Sequence, residues 1–114
     1  ILKVRKYKVK SEFMISIASG KWSIRAGGAV LGETKKALEL YEGDSKTALY
    51  FPKKDLAMAF FERTGHEIIH PQKGTMVYYS IITKSQTLEN IAWEFIAPRP
   101  EVMDLLNYVL LLLL

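Results

Sequence analysis

The chain has 114 residues, and its apolar content of 49% and charged content of 25% indicate a globular protein and exclude an intrinsically disordered one. It contains no cysteine, which excludes disulfides, thiolate metal sites and cysteine nucleophiles and is compatible with the cytoplasmic location that we predict. The net charge of +4 is too small to predict a nucleic-acid partner.

The two ends of the chain differ from its middle. Residues 1–12 form a basic N-terminal arm, which we interpret as a solvated terminus, although such an arm can also hold nucleic acid or an acidic partner. Residues 13–114 are predicted to form a single β-rich domain. The apolar run 109–114 is far shorter than the roughly 20 residues of a membrane-spanning helix, so we expect a buried last strand and no membrane partner.

Short alternating segments separated by turns predict a mainly β fold. A first strand at 13–18 would be paired by a turn at Ser19 and Gly20 with a second strand at 22–25. A further turn at 26–29 leads into a third strand, so we expect a three-stranded meander. Other strands are predicted at 47–51, 75–83, 91–96 and from residue 108 onward, and short helices at 52–61 and 101–106.

The run 75–83 has apolar side chains on both of its faces. Val77 and Tyr79 point to one face and Tyr78 to the other, which predicts a central strand that is covered on both sides. In the next strand, Trp93 stands between apolar neighbours and is therefore expected to be largely buried.

Residues 66–70 read HEIIH and match the H-E-x-x-H motif of zinc proteases. That motif requires a helix, because only there can two histidines four residues apart bind one zinc ion. Gly65 resembles the stop of the segment before it, and Pro71 favours an extended residue directly before it. We therefore predict that His66 and His70 lie on a strand and share no zinc, and we expect no metal and no cofactor.

Seven short motifs carry a resemblance to a known family. In chain order they are Thr34-Lys35-Lys36-Ala37-Leu38, Tyr50-Phe51-Pro52 with Asp55, Thr64 with His66, Pro71 with Lys73-Gly74, Tyr78-Tyr79-Ser80, Asn90-Ile91-Ala92-Trp93, and Pro98 with Pro100. Over about residues 13–112 they resemble the bacterial and fungal family called domain of unknown function 427, which is also labelled nucleotidyltransferase-like.

The resemblance implies a β-tent-like single domain, in which two small antiparallel sheets meet at an angle beside one or two short helices. It also implies that residues 35–41 form a strand, although their apolar pattern is ambiguous and their residue types alone favour a helix. It implies no activity, substrate or cofactor. The chain has His70 where the family usually has a cysteine, so a function that depends on that cysteine is not expected here.

The turn after His70 is the best candidate for a binding site. Pro71 directs the chain into the turn and Gly74 allows it to curl, so Lys73 is expected to project as an exposed charge. An anion would meet its ammonium, one or two backbone N–H groups and a protonated His70. The predicted ligand-binding residues, which add an aromatic wall and an amide, are His66, His70, Lys73, Gly74, Tyr79, Asn90 and Trp93.

These residues predict a module that binds a small molecule or nucleotide-like ligand, either anionic or aromatic. Two alternatives stay open. One is an enzyme that acts on nucleotides or phosphate esters with a histidine as general base. The other is a structural domain that forms a homodimer through its C-terminal strand. The chain has no Ser/His/Asp spacing, P-loop or dinucleotide fingerprint, so no catalytic residue is predicted.

Overall fold

A computed structural model of the protein describes residues 13–43 and 47–111, so the predicted arm at 1–12 and the terminal leucines 112–114 lie outside the described residues. The strands are β1 (Met14–Ile17), β2 (Trp22–Ala26), β3 (Ala29–Thr34), β4 (Leu38–Tyr41), β5 (Thr47–Pro52), β6 (Phe61–His70), β7 (Gly74–Ile82), β8 (Thr87–Pro98) and β9 (Tyr108–Leu111). Three short 3₁₀ helices complete the described residues: η1 (Lys53–Asp55), η2 (Met58–Phe60) and η3 (Pro100–Leu105).

The strands form two antiparallel sheets of very unequal size. The large sheet has seven strands in the order β1-β4-β5-β9-β8-β7-β6, and the small one consists of β2 and β3. The predicted mainly β fold is thus confirmed. Among the described residues, no helix has the length and apolar character needed to cross a membrane.

The last strand, β9, lies in the middle of the large sheet. It is hydrogen-bonded to β5 on one side and to β8 on the other. Both of its backbone edges are therefore occupied within the chain. A homodimer through the C-terminal strand stays a prediction, but it cannot use residues 108–111 to extend the sheet.

Each face of the large sheet carries a cluster of buried side chains. On the first, the hairpin face, the β2–β3 hairpin packs Ile24 and Leu31 against the sheet. On the opposite face, the η3 face, η3 packs Val102 and Leu105 against it. Neighbouring residues of β7 divide between the two faces, because successive side chains of a strand point in opposite directions. The prediction that this strand is covered on both faces is confirmed, although β7 lies next to the edge strand β6 and not at the centre of the sheet.

The predicted meander of the first three strands is wrong. β1 does not pair with β2 but lies at the edge of the large sheet beside β4, while β2 pairs with β3. The turn at Ser19 and Gly20 carries the chain from one sheet to the other, and Ala18 N–H donates to the Ala37 carbonyl at 2.9 Å. The prediction that residues 35–41 form a strand, which rested on the family resemblance, is confirmed for Leu38–Tyr41, whereas residues 35–37 lie in the turn before β4.

Two other local predictions need correction. Gly65 does not end a segment but lies inside β6, where the pairing with β7 shifts register between Arg63 and Glu67. The helix predicted at 52–61 is replaced by two separate 3₁₀ helices, η1 and η2. They are separated because Ala57 N–H donates to the Leu31 carbonyl at 2.7 Å, which ties this segment to β3 instead of to a continuous helix.

Candidate functional site

The turn after His70 is fixed by hydrogen bonds. His70 Nδ1 accepts bonds from the backbone N–H groups of Gln72 and Lys73, both at 3.1 Å. A His70 ring protonated at Nδ1 could not accept them. Gly74 has φ +109°, and a Cβ at this position would stand 2.2 Å from the backbone oxygen of Ala97. The turn is therefore docked tightly on the end of β8, and its N–H groups already have partners.

Lys73 is not the exposed turn lysine that the sequence predicts. Its side chain is only 14% exposed and forms an ion pair with the carboxylate of Glu42. Its ammonium also lies 5.8 Å from the centre of the Phe13 ring. The expectation failed because Glu42 and Phe13 are both distant from Lys73 in the sequence, and no local pattern predicts contacts over such separations.

The Lys73–Glu42 pair lines a groove of about 560 Å³, which we call the Lys73 groove. Its wall on the η3 face is largely apolar and includes Tyr50, Met76 and Trp93. Apolar walls with a few converging polar groups are typical of small-molecule sites. The Lys73 groove combines these two features.

Two aromatic side chains give the groove its shape. Tyr50 is buried and stacks on Phe95, with ring centres 6.2 Å apart and planes 26° from parallel. Trp93 lies 5.5 Å from the Tyr78 ring and packs partly buried against the core of the η3 face, which agrees with the expectation that most of its surface is covered. The groove leaves the rest of the indole uncovered.

The Tyr50 hydroxyl is kept protonated by its surroundings. Burial raises the pKa of Tyr50 well above its ordinary value, and the negative charge of Glu42 adds to this effect. At neutral pH the groove therefore contains a phenol, which can donate a hydrogen bond, and not a phenolate.

Tyr79 lies on the hairpin face and not in the groove. The register pairs Trp93 with Tyr78, so Tyr79 points in the opposite direction. Its hydroxyl donates to the carboxylate of Glu94, which also accepts a bond from Lys53 Nζ at 3.0 Å. Glu94 is 4% exposed. A buried carboxylate needs such partners, so we assign this network to the stability of the fold.

The Tyr79–Glu94 contact predicts a loss of stability at alkaline pH. Burial, followed by the hydrogen bond and charge of Glu94, raises the pKa of Tyr79 from 10.0 to about 12. This contribution to stability is complete below the unfolded-state pKa of about 10 and disappears as the pH rises through about 12. We expect Tyr79→Phe to remove part of the fall in unfolding free energy between these values, as measured by urea unfolding.

A matched control for this experiment is Tyr41→Phe, because Tyr41 is 36% exposed. We expect this control to keep the wild-type dependence on pH. The assignment would be contradicted by a Tyr79→Phe protein whose stability falls as steeply with pH as that of the wild type.

His66 and Asn90 lie in a separate hollow of about 480 Å³, formed by β6, β7 and β8. The exposed His66 ring stands 6.3 Å from the Tyr78 ring, edge to face. Asn90 has a left-handed backbone with φ 50°, and its buried Oδ1 has no hydrogen-bond partner among the described residues. These two predicted site residues are therefore not brought together with Lys73.

Both histidines lie on β6, as predicted, and not on a helix. The HEIIH sequence thus lacks the geometry with which the zinc motif holds its ion. Within residues 13–43 and 47–111, no group of three or more histidine and acidic side chains could hold a metal ion. That the protein binds no zinc stays a prediction.

Of the predicted ligand-binding residues, Lys73 and Trp93 line the groove. Sequence reasoning missed Glu42, Tyr50 and Met76, which line it as well. Met76 could have been found from the alternation of β7. No signal in the sequence connects Glu42 or Tyr50 to this site, because both are far from Lys73 and Trp93 along the chain.

A comparison with known protein families matches residues 14–112 to the family described as "Domain of unknown function (DUF427)". A search of curated proteins finds no match. The family match covers almost all of the described residues, including Glu42, Tyr50, Lys73 and Trp93 of the groove. It agrees with the order of the short motifs along the sequence. The chain therefore belongs to the DUF427 family.

Proposed function

We propose that this protein is a non-catalytic module that binds a flat small molecule in the Lys73 groove. The observation that carries the proposal is the position of a largely buried ion pair, Lys73 with Glu42, in a groove walled by aromatic side chains. The ligand class that fits is an aromatic or nucleotide-like molecule with an anionic or carbonyl group.

The ion pair supplies the polar part of this recognition. An ammonium has three N–H donors, so Lys73 can hold Glu42 and still donate to a ligand oxygen. The side chains of Lys73 and Glu42 are 14% and 29% exposed, so both charges are partly removed from water. Hydrogen bonds to such groups are stronger than those to fully solvated ones.

The aromatic wall supplies the apolar part. Trp93 is half-buried, so a ring placed in the groove would cover its remaining surface. Tyr50 is held by its stacking on Phe95 and loses little freedom when a ligand arrives. Contact between aromatic rings contributes about 0.5–1.5 kcal/mol beyond the area that it buries.

Tryptophan fluorescence tests this proposal, because the chain has two tryptophans and only Trp93 lines the groove. Trp22 lies on β2, where its indole N–H is held by the carbonyls of Ala18 and Ser19 at 3.2 Å. In the Trp22→Phe variant the emission reports on Trp93 alone, and in Trp93→Phe it reports on Trp22 alone.

We expect at least one member of a panel of nucleotides and aromatic carboxylates to quench Trp22→Phe in a saturable way. The same compound should leave the emission of Trp93→Phe unchanged. Equal quenching of both variants would place binding outside the groove and overturn the proposal. The proposal would also be overturned if no compound of the panel quenched the Trp93 emission or raised the melting temperature of the wild-type protein.

A further inference from the structure

A hollow of about 460 Å³ lies away from the groove, where the open end of the β2–β3 hairpin meets η1. Its distinctive feature is a set of four lysines from three parts of the chain: Lys21, Lys35, Lys36 and Lys54. Two carboxylates, those of Glu33 and Asp55, also line it. Four ammonium groups against two carboxylates leave an excess of two positive charges.

Both carboxylates already have partners, and only one of the four lysines forms an ion pair with a described residue. Glu33 pairs with Lys21 at 3.4 Å, and Asp55 accepts a hydrogen bond from the Thr34 hydroxyl at 2.7 Å. Lys35, Lys36 and Lys54 form no ion pair with any residue in the described ranges.

Other lysines among the described residues either form an ion pair or lie outside this hollow. Lys53 pairs with Glu94 and Lys73 with Glu42. Lys84, which is exposed in the β7–β8 turn, does not line this hollow. The grouping of unpaired ammonium groups in one hollow is therefore a local feature and not a general property of the surface.

The backbone that carries the lysines is held in place. Thr34 is 3% exposed, and its Oγ1 donates to Asp55 and accepts a bond from Lys36 N–H at 2.9 Å. Gly32 allows β3 to approach η1 closely, since a Cβ there would stand 2.8 Å from the backbone oxygen of Asp55. These contacts fix the β3–β4 turn, with Lys35 and Lys36, against the segment that carries Lys54.

We propose that this hollow is a second binding site, which takes a compact, multiply charged anion of the diphosphate class. Lysines that are held close together repel one another, and an anion between them removes that repulsion while it gains their attraction. The excess of two positive charges favours an anion that carries at least two negative charges, and the unpaired ammonium groups come from two separate segments, which suits the two phosphate groups of a diphosphate. The fixed backbone lowers the ordering cost of binding.

Inorganic pyrophosphate is the probe, titrated into the full chain at low ionic strength and followed by calorimetry and by NMR of the backbone amides. The test variant is Lys35→Gln/Lys36→Gln. The matched control is Arg25→Gln/Lys84→Gln, which removes the same charge from exposed positions outside the hollow. All four positions are exposed, so both variants should fold, and circular dichroism checks this.

We expect the test variant to weaken pyrophosphate binding by at least about tenfold and the control by less than about twofold, because contacts in the hollow and not the net charge dominate. Shifts should centre on residues 21, 33–36 and 54–55. Equal losses of pyrophosphate affinity in both variants would mean that the attraction is non-specific, and would contradict the proposed site. Shifts confined to other residues, or no measurable binding to the wild type, would also overturn it. Trp93 emission reports separately on the groove, so a failure here leaves the proposed function standing.

Discussion

Gly74→Ala should destabilise the protein by roughly 2–6 kcal/mol, the sum of two separate costs. The first is backbone strain of about 1–3 kcal/mol, because φ at Gly74 is +109°, which L residues rarely adopt. The second is steric, since the new Cβ would stand 2.2 Å from the backbone oxygen of Ala97. Relieving such a clash typically costs about 1–3 kcal/mol, here by moving the turn away from β8.

Gly20→Ala separates the two costs. Gly20 has a similar φ of +95°, but no heavy atom lies within 4 Å of the point where its Cβ would stand, so this variant should show the strain alone. Urea unfolding of both variants measures the difference. If Gly74→Ala lost no more stability than Gly20→Ala, the close approach of the turn to β8 would be refuted. Gly74→Ala should also weaken ligand binding, because Lys73 is the neighbouring residue.

Phe95→Ala should cost about 3–5 kcal/mol, the usual range for removing a fully buried large aromatic side chain. Phe95 is 0% exposed and stacks on Tyr50, so the vacated space lies directly beneath the groove wall. We expect the unfolding free energy to fall by this amount in urea, and Tyr50 to lose the neighbour that fixes its ring.

Trp93→Ala is the matched comparison, since Trp93 lies on the same strand and faces the same side of the sheet. Because Trp93 is half-buried, its truncation should cost less stability than that of Phe95, although the side chain is larger. A greater loss for Trp93→Ala would mean that the indole belongs to the core and would remove the support that Trp93 gives to a binding role.

The alternation of β7 was readable from the sequence because it is a local property. Side-chain direction repeats every two residues, so the faces of Val77 and Tyr78 follow from their positions alone. In the pairing of β7 with β8, Trp93 stands opposite Tyr78, so these two side chains share one face of the sheet. Tyr79 therefore points to the other face and cannot line the groove beside Trp93. Sequence reasoning predicted the strands but not this register.

The pairing of strands that are distant along the chain could not be predicted from the sequence. A turn at Gly20 indicates that the chain changes direction, but it does not decide whether β2 or β4 becomes the neighbour of β1. The same limit applies to the site. Lys73, a predicted binding residue, lines the groove, yet its partner Glu42 is 31 residues away and follows a different strand.

Because β9 lies in the middle of the large sheet, the sheet cannot be completed before β9 has been synthesised. β9 separates β1, β4 and β5 from β6, β7 and β8, so the two halves of the large sheet join only when residues 108–111 are available. While a ribosome still holds these residues, β5 and β8 each present an unpaired edge, which is the kind of surface that promotes aggregation. Closure also requires contact between residues about 58 positions apart, such as Phe51 with Val109, and such distant contacts slow folding. The nascent chain thus exposes these two strand edges until β9 has emerged.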